Sequence, residues 1–141
     1  MPDEILPGAE VNLALMQRRR EAMAAGDAAA VEALFSPDFV DHDPGAGQPD
    51  GAAGLTWYWA GFDASFSDVQ RETVHTVATP EHVVTVSQLS GTHTGEYLGH
   101  AATGRRFSIR TVQVMRIVDG VVVERWGSSD VLGILQQLGL A

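Results

Sequence analysis

The sequence contains no cysteine. Disulfides, thiolate metal sites and cysteine nucleophiles are therefore excluded. Basic residues are scarce: nine Lys and Arg stand against eighteen Asp and Glu, giving a net charge of −9 and a pI near 4.8. That balance argues against nucleic acid or an anionic membrane surface as partner, since both need a basic footprint. No hydrophobic run approaches the ~20 residues of a membrane span. The opening "MPDEILPG" is acidic and proline-broken and lacks the basic-then-apolar pattern of a secretory leader. These absences lead to the expectation of a soluble cytoplasmic protein. What is present is ordinary: 45% hydrophobic and 19% charged residues over 141 positions. This predicts one domain over residues 1–141, long enough to bury a core.

The first half is written in helix-forming residues. "AEVNLALMQRRREAMAA" (9–25) has neither Gly nor Pro and predicts a helix. Gly26 ends it and Asp27 caps a second, short helix that stops before Pro37. A brief extended piece and a Pro/Gly-rich loop, "PDFVDHDPGAGQPDG", lead to a third helix capped by Asp50. In that helix Leu55, Trp59 and Phe62 fall at helical spacing and form an apolar stripe. After residue 68 the pattern becomes β-branched, with turn signals at "TPEH" and at Asp119-Gly120. The final "VLGILQQLGLA" suits a short helix or a tail. Helices followed by antiparallel strands indicate an α+β fold, a curved sheet wrapped over a helix with a pocket between them. The three tryptophans would suit an apolar pocket.

If Asp119-Gly120 is a two-residue turn, opposed residues in the last hairpin have numbers summing to about 239 by simple pairing. Gln113 then faces Trp126, and Met115, Glu124, Trp126 and Asp130 share one face. Arg110, Arg116 and Arg125 fall on the other, toward solvent or a second subunit. A bulge before Asp130 would break this register. An acid ending a strand on such a face is partly desolvated and can trade protons near neutral pH. Asp130 equally suits the N-cap of a helix starting at Val131. Glu124 is a second inward acid or an arginine partner.

Other clusters point less far. His93, Glu96 and His100 have a spacing that matches no common metal-ligand pattern. "DHDP" (Asp41, His42, Asp43) could hold a hard cation, but such runs more often make Asx-type turns. "GAGQPDG" lacks the lysine and the strand-to-helix setting of a phosphate loop.

The segments "FVDHDP", "GTHTGEYLGHAATGRRF" and "DGVVVERWGSSD" with "LQQLG" resemble the SnoaL-like polyketide cyclase family. That family shares the nuclear-transport-factor-2 fold, and the resemblance runs from about residue 10 to the end of the chain. It implies a cone-shaped α+β fold with an internal pocket, acting on a polyketide-type small molecule with no metal and no cofactor, as a homodimer or larger assembly. Asp130, four residues after Trp126, matches the family's acid/base aspartate. Asp41, beside His42, matches a polar cavity residue, and Gln113 a glutamine on the penultimate strand. With Trp59, Phe62, Met115 and Glu124 these would form the site, with His93 and Tyr97 at its mouth. Two positions depart from the aromatic cyclases, which tend to carry a histidine near the glutamine, where Met115 stands, and an amide at position 41. The departures leave open closure by shape rather than by aldol chemistry. The same fold also hosts epoxide hydrolases, isomerases and non-catalytic binders.

Overall fold

The uninterrupted run of helix formers becomes α1 (Glu10–Ala24) in the computed structural model, which describes residues 3–141. A two-residue strand, β1 (Glu4–Ile5), precedes it. The chain breaks at Gly26, and the Asp27 carboxylate accepts the Ala30 N–H at 3.0 Å to start α2 (Ala28–Glu32). Strand β2 (Phe35–Asp41) and the Pro/Gly loop then deliver α3 (Gly51–Ser65). Asp50 holds the expected N-cap position of α3, but its side chain makes no capping bond. Four longer strands follow: β3 (Phe66–Ala78), β4 (His82–His93), β5 (Arg106–Val118) and β6 (Val121–Ser129). The C-terminal segment is a helix, α4 (Val131–Gln137).

The sheet order is β1-β3-β4-β5-β6-β2. The four long strands pair antiparallel, β3–β4 and β5–β6 through short turns and β4–β5 through a longer loop, but β1 and β2 add to β3 and β6 in parallel. The fold is thus α+β as expected, with a sheet that is mixed at its two edges. Both edge strands lie far from their partners in the chain, so crossovers rather than hairpins deliver them. Irregularities in β3 between Ser67 and Gln70 and between Thr73 and His75 bend the sheet, which remains open.

The Asp119-Gly120 turn forms as read, with φ of +51° and +78°. This is the mirror-image turn that suits strand twist. Val118 pairs with Val121 and Ile117 with Val122, and there the expected register ends. Val123 is skipped: Arg116 pairs with Glu124, Met115 with Arg125, Val114 with Trp126 and Gln113 with Gly127. One extra residue beside the turn reverses every side chain beyond it. Arg125 therefore enters the concave side, while Glu124 and Trp126 leave it.

Two apolar clusters hold the fold. The first gathers Leu15 and Met16 of α1 with Phe35, Phe39, Leu55, Met115 and Val122. The second gathers Phe62, Phe66, Phe107 and Ile109 with Ile134 and Leu138. Trp59 packs against both. Phe107 is 2% exposed and makes edge-on contacts with Phe62 and Phe66. Phe107→Ala should lower unfolding free energy by about 3–5 kcal/mol. Urea denaturation would show this as an earlier midpoint at an unchanged slope.

Candidate active site

Between the two apolar clusters the concave face is polar. Alternation on β4 points Thr85 and Ser87 inward, as it does Val83 and Leu89 on either side. Register then carries hydroxyls across four strands, Thr73 opposite Ser87, Ser87 opposite Thr111 and Thr111 opposite Ser129. This belt floors a cavity of about 110 Å³ roofed by Met16, Arg19 and Met23 of α1 and by Trp59 of α3. The tryptophans alone led to the expectation of an apolar pocket. The structure adds hydroxyls and guanidiniums to the apolar lining of Met16, Met23, Trp59 and Leu89, because small polar residues occupy inward positions of strands otherwise rich in valine.

Arg125 organises the polar end. Its Nη1 donates to Asp41 Oδ1 at 2.9 Å and its Nε to Gln113 Oε1 at 2.9 Å. Asp41 also accepts the Gln48 side-chain amide on Oδ2 and the Asp43 N–H on Oδ1. Asp43 in turn accepts the Gly127 N–H at 2.9 Å. The Arg125 and Asp41 side chains are 10% and 5% exposed, so this is a buried pair joining β6 to the end of β2. Both Asp41 oxygens are occupied, which makes it an anchor for Arg125.

Two further compartments adjoin. One, of about 190 Å³, shares Trp59, Arg125 and Ser129 with the inner cavity. The next, of about 360 Å³, shares Gly45, Tyr58 and Val131 with that one and reaches Phe62, Tyr97 and Leu98. Together they run from the hydroxyl belt to a mouth bounded by α3 and two loops. Burial pushes the Tyr97 phenol up to about 12, with the nearby Tyr58 adding to it. Burial also raises the Tyr58 phenol, and Arg125 partly opposes this. Both phenols therefore stay protonated at neutral pH and can donate hydrogen bonds into the outer compartments.

The structure brings together some of the residues read from sequence and separates others. Gln113, Trp59, Phe62 and Tyr97 line these compartments, and Asp41 is held at their polar end through Arg125. Asp130 is solvent-exposed and caps α4, its Oδ1 accepting the Gly133 N–H at 2.8 Å. Its neighbours Ser129 and Val131 line the walls. Gly133 permits this approach, since a Cβ there would overlap the Asp130 carboxylate.

The altered register puts His42, Glu124 and Trp126 together on the outer side. The His42 ring stacks on Trp126 with centroids 4.7 Å apart, and His42 Nε2 lies 2.7 Å from Glu124. Arg116 also donates to Glu124 at 2.9 Å. Hydrogen bonds from His42 and then Arg116 hold the Glu124 carboxyl below its ordinary pKa. Of the two readings of Glu124, arginine partner is the one realised. Met115 is 1% exposed and belongs to the first apolar cluster. His93 is fully buried rather than at the mouth, and its Nδ1 accepts the Thr103 N–H at 3.1 Å, pinning the loop after β4. Glu96 and His100, both exposed, do not join it.

Arg19, Arg125 and Tyr58 were missed. Arg19 had a legible signal: it lies three and four residues after Met16 and Leu15, on the buried face of α1. The run "RRR" disguised it as a solvated patch. Arg125 had none, because the skipped residue at Val123 sits in a uniform valine run.

The family model that matches residues 14–138 is that of the SnoaL-like polyketide cyclase. An aklanonic acid methyl ester cyclase of Streptomyces peucetius is 32% identical over 106 residues, 74% of this chain and 71% of that one. Among solved structures, TsrD of Streptomyces laurentii superposes with a TM-score of 0.81 at 25% identity, over 94% of this chain and 97% of its own. IdmH of Streptomyces antibioticus gives a TM-score of 0.76 at 32% identity, over 89% and 96%.

The buried pair generates a stability prediction. Asp41→Ala leaves the Arg125 guanidinium buried without its counter-charge and should cost about 3–5 kcal/mol. Adding Arg125→Met to that variant should recover most of the loss, since a buried apolar side chain replaces a buried lone charge. Chemical denaturation of the two single variants and the double variant checks both statements.

Proposed function

The chain belongs to the SnoaL-like polyketide cyclase family, and on that premise we propose that it closes a ring on a polyketide-type intermediate within the three adjoining compartments. The observation that carries the reading is that they lie side by side with shared walls. A polar inner end, held by Arg125, Asp41 and Gln113, adjoins a middle compartment that shares walls with an outer chamber of aromatic side chains. Such a shape takes a long, partly aromatic molecule carrying oxygen functions and folds it against a wall. In the acid/base form of the reaction, Asp130 removes a proton from a carbon activated by flanking carbonyls. The resulting enolate carbon attacks a ketone carbon, a C–C bond forms, and the carbonyl π electrons pass to oxygen. The alkoxide then takes that proton back from Asp130, which returns to the carboxylate. Asp130 suits this role in one respect: Gly133 engages Oδ1 and orients the carboxylate, leaving Oδ2 to accept the proton.

A second reading, closure directed by shape alone, is favoured by a specific observation. Asp130 is exposed and already serves α4 as its cap. In that case the walls supply orientation and the carboxylate is structural. The proposal also includes a cytoplasmic homo-oligomer, with which the exposed outer-face residues Val112 and Val118 are compatible.

Asp130→Asn separates the two readings, because Asn caps a helix about as well as Asp but cannot carry the proton. With aklanonic acid methyl ester as the first candidate substrate, acid/base chemistry predicts a fall in kcat of about 100-fold or more at an unchanged unfolding midpoint. A fall of less than about tenfold would assign the closure to shape.

A further inference from the structure

The middle compartment, of about 190 Å³, is lined by two residues whose donors the fold leaves free. Arg125 donates from Nη1 to Asp41 and from Nε to Gln113, and among the described residues its Nη2 has no acceptor. Tyr58, half-buried on α3, makes no side-chain hydrogen bond among the described residues. The polar atoms sealed in packing without a partner lie elsewhere, on Arg19, Trp59, His75 and His93. The Tyr58 hydroxyl and Arg125 Nη2 therefore meet open space. They are also close enough for the charge of Arg125 to offset part of the rise that burial causes in the Tyr58 phenol.

Two glycines make the room. A Cβ on Gly127 would overlap Nη2 and Cζ of Arg125, and a Cβ on Gly45 would overlap the Tyr58 ring. Neither glycine has a positive φ, so backbone conformation does not call for glycine at either position. What each supplies is space beside a donor. The other polar groups of this wall are engaged or neutral. Asp43, the one acid among the described residues that line it, accepts the Gly127 N–H on Oδ2. Gln48 donates to Asp41 and accepts the Gly45 N–H. Ser129 and Val131, on either side of Asp130, line the same compartment. An oxygen held by the two donors thus lies against the chain that carries Asp130.

We propose that the Tyr58 hydroxyl and Arg125 Nη2 together hold the ketone oxygen of the substrate and stabilise it as it becomes an alkoxide. This rests on the acid/base form of the reading above, and it adds the groups that meet the developing charge. As the enolate carbon bonds to the ketone carbon, the carbonyl π pair moves to that oxygen and both hydrogen bonds strengthen. Neither donor gives up its proton, and Asp130 supplies the one that quenches the alkoxide. Asp41 answers the charge of Arg125, so the pair acts by directed hydrogen bonds. It asks for no charge on the incoming molecule, and an ester is accepted.

Bound 2-hydroxyanthraquinone tests the pair without turnover, because its phenolate offers a negative oxygen and absorbs at longer wavelength than the phenol. A pH titration of absorbance should show the bound probe ionising at least about one pH unit below the free probe, since donors to the charged form lower an acid's pKa. Tyr58→Phe keeps the ring and removes only a hydroxyl without a protein partner. It should cut that shift by about half or more at an unchanged urea midpoint. Gly127→Ala, which crowds Nη2, should also cut it; should that variant fail to fold, Tyr58→Phe alone decides. With the first candidate substrate, Tyr58→Phe should lower kcat about 100-fold and leave KM within about threefold, because the charged oxygen exists only in the transition state. Absence of probe binding, a bound probe that ionises like the free one, or a shift that survives either substitution would overturn the proposal. So would ring closure by Tyr58→Phe at close to the wild-type rate. A shifted probe in a chain that closes no ring would remove the cyclase reading and leave this site standing. Ring closure with no shift would remove the site alone.

Discussion

A guanidinium taken out of water must be met by opposite charge and by acceptors for its N–H groups, and Arg125 imposes that demand on one edge of the sheet. Asp41 meets the charge and Gln113 takes a second donor. The consequences spread outward. Asp41 ends β2, so its pairing with Arg125 ties the parallel edge strand to β6. Gln48 and Asp43 are drawn into the same network and fix the loop that forms part of the mouth. A single buried cation therefore sets the polar end of the cavity, the position of an edge strand and the shape of a loop.

The polar belt has a related logic. A sheet face that packs wholly against helices would normally be apolar throughout, but here two apolar clusters are separated by a row of hydroxyls. Each cluster is anchored by its own helices, α1 and α2 over one and α4 over the other. Trp59, touching both, bridges the gap from above. The roof can therefore span a cavity without the fold depending on contacts made across it. This division of labour is what lets the interior hold arginines and hydroxyls where a small protein would otherwise need leucine.

Much of this architecture was legible in the sequence, and the rest was hidden for identifiable reasons. Local chemistry read well: the break at Gly26-Asp27, the Asp119-Gly120 turn and the capping role of Asp130 each depend on residues adjacent in the chain. The α+β class followed from the order of helix and strand patterns, and the family from motifs spread along most of the chain. Which side chains share the cavity depended on non-local registration. One unpaired residue at Val123 exchanged Arg125 for Glu124 and Trp126, and nothing in "GVVVERW" marks the position of the slip. The parallel edges were equally hidden, because β1 is two residues long and owes its direction to where α1 leaves the chain. Arg19 could have been read from the spacing of α1, and was obscured by the arginines on either side of it.

The unpaired Val123 makes the chemistry of the cavity a question of counting. In most proteins the charge of a binding site changes by substitution, one side chain at a time. Here the alternating strand offers two complete sets of residues, one with Arg125 and one with Glu124 and Trp126, and the backbone selects between them. Gain or loss of one codon next to the turn would present the other set to the interior, turning a cationic wall acidic and aromatic while the remaining sequence stayed the same. Within such a hairpin, ligand preference can therefore diverge through length variation, and relatives with similar residues at aligned positions can present opposite faces to their substrates.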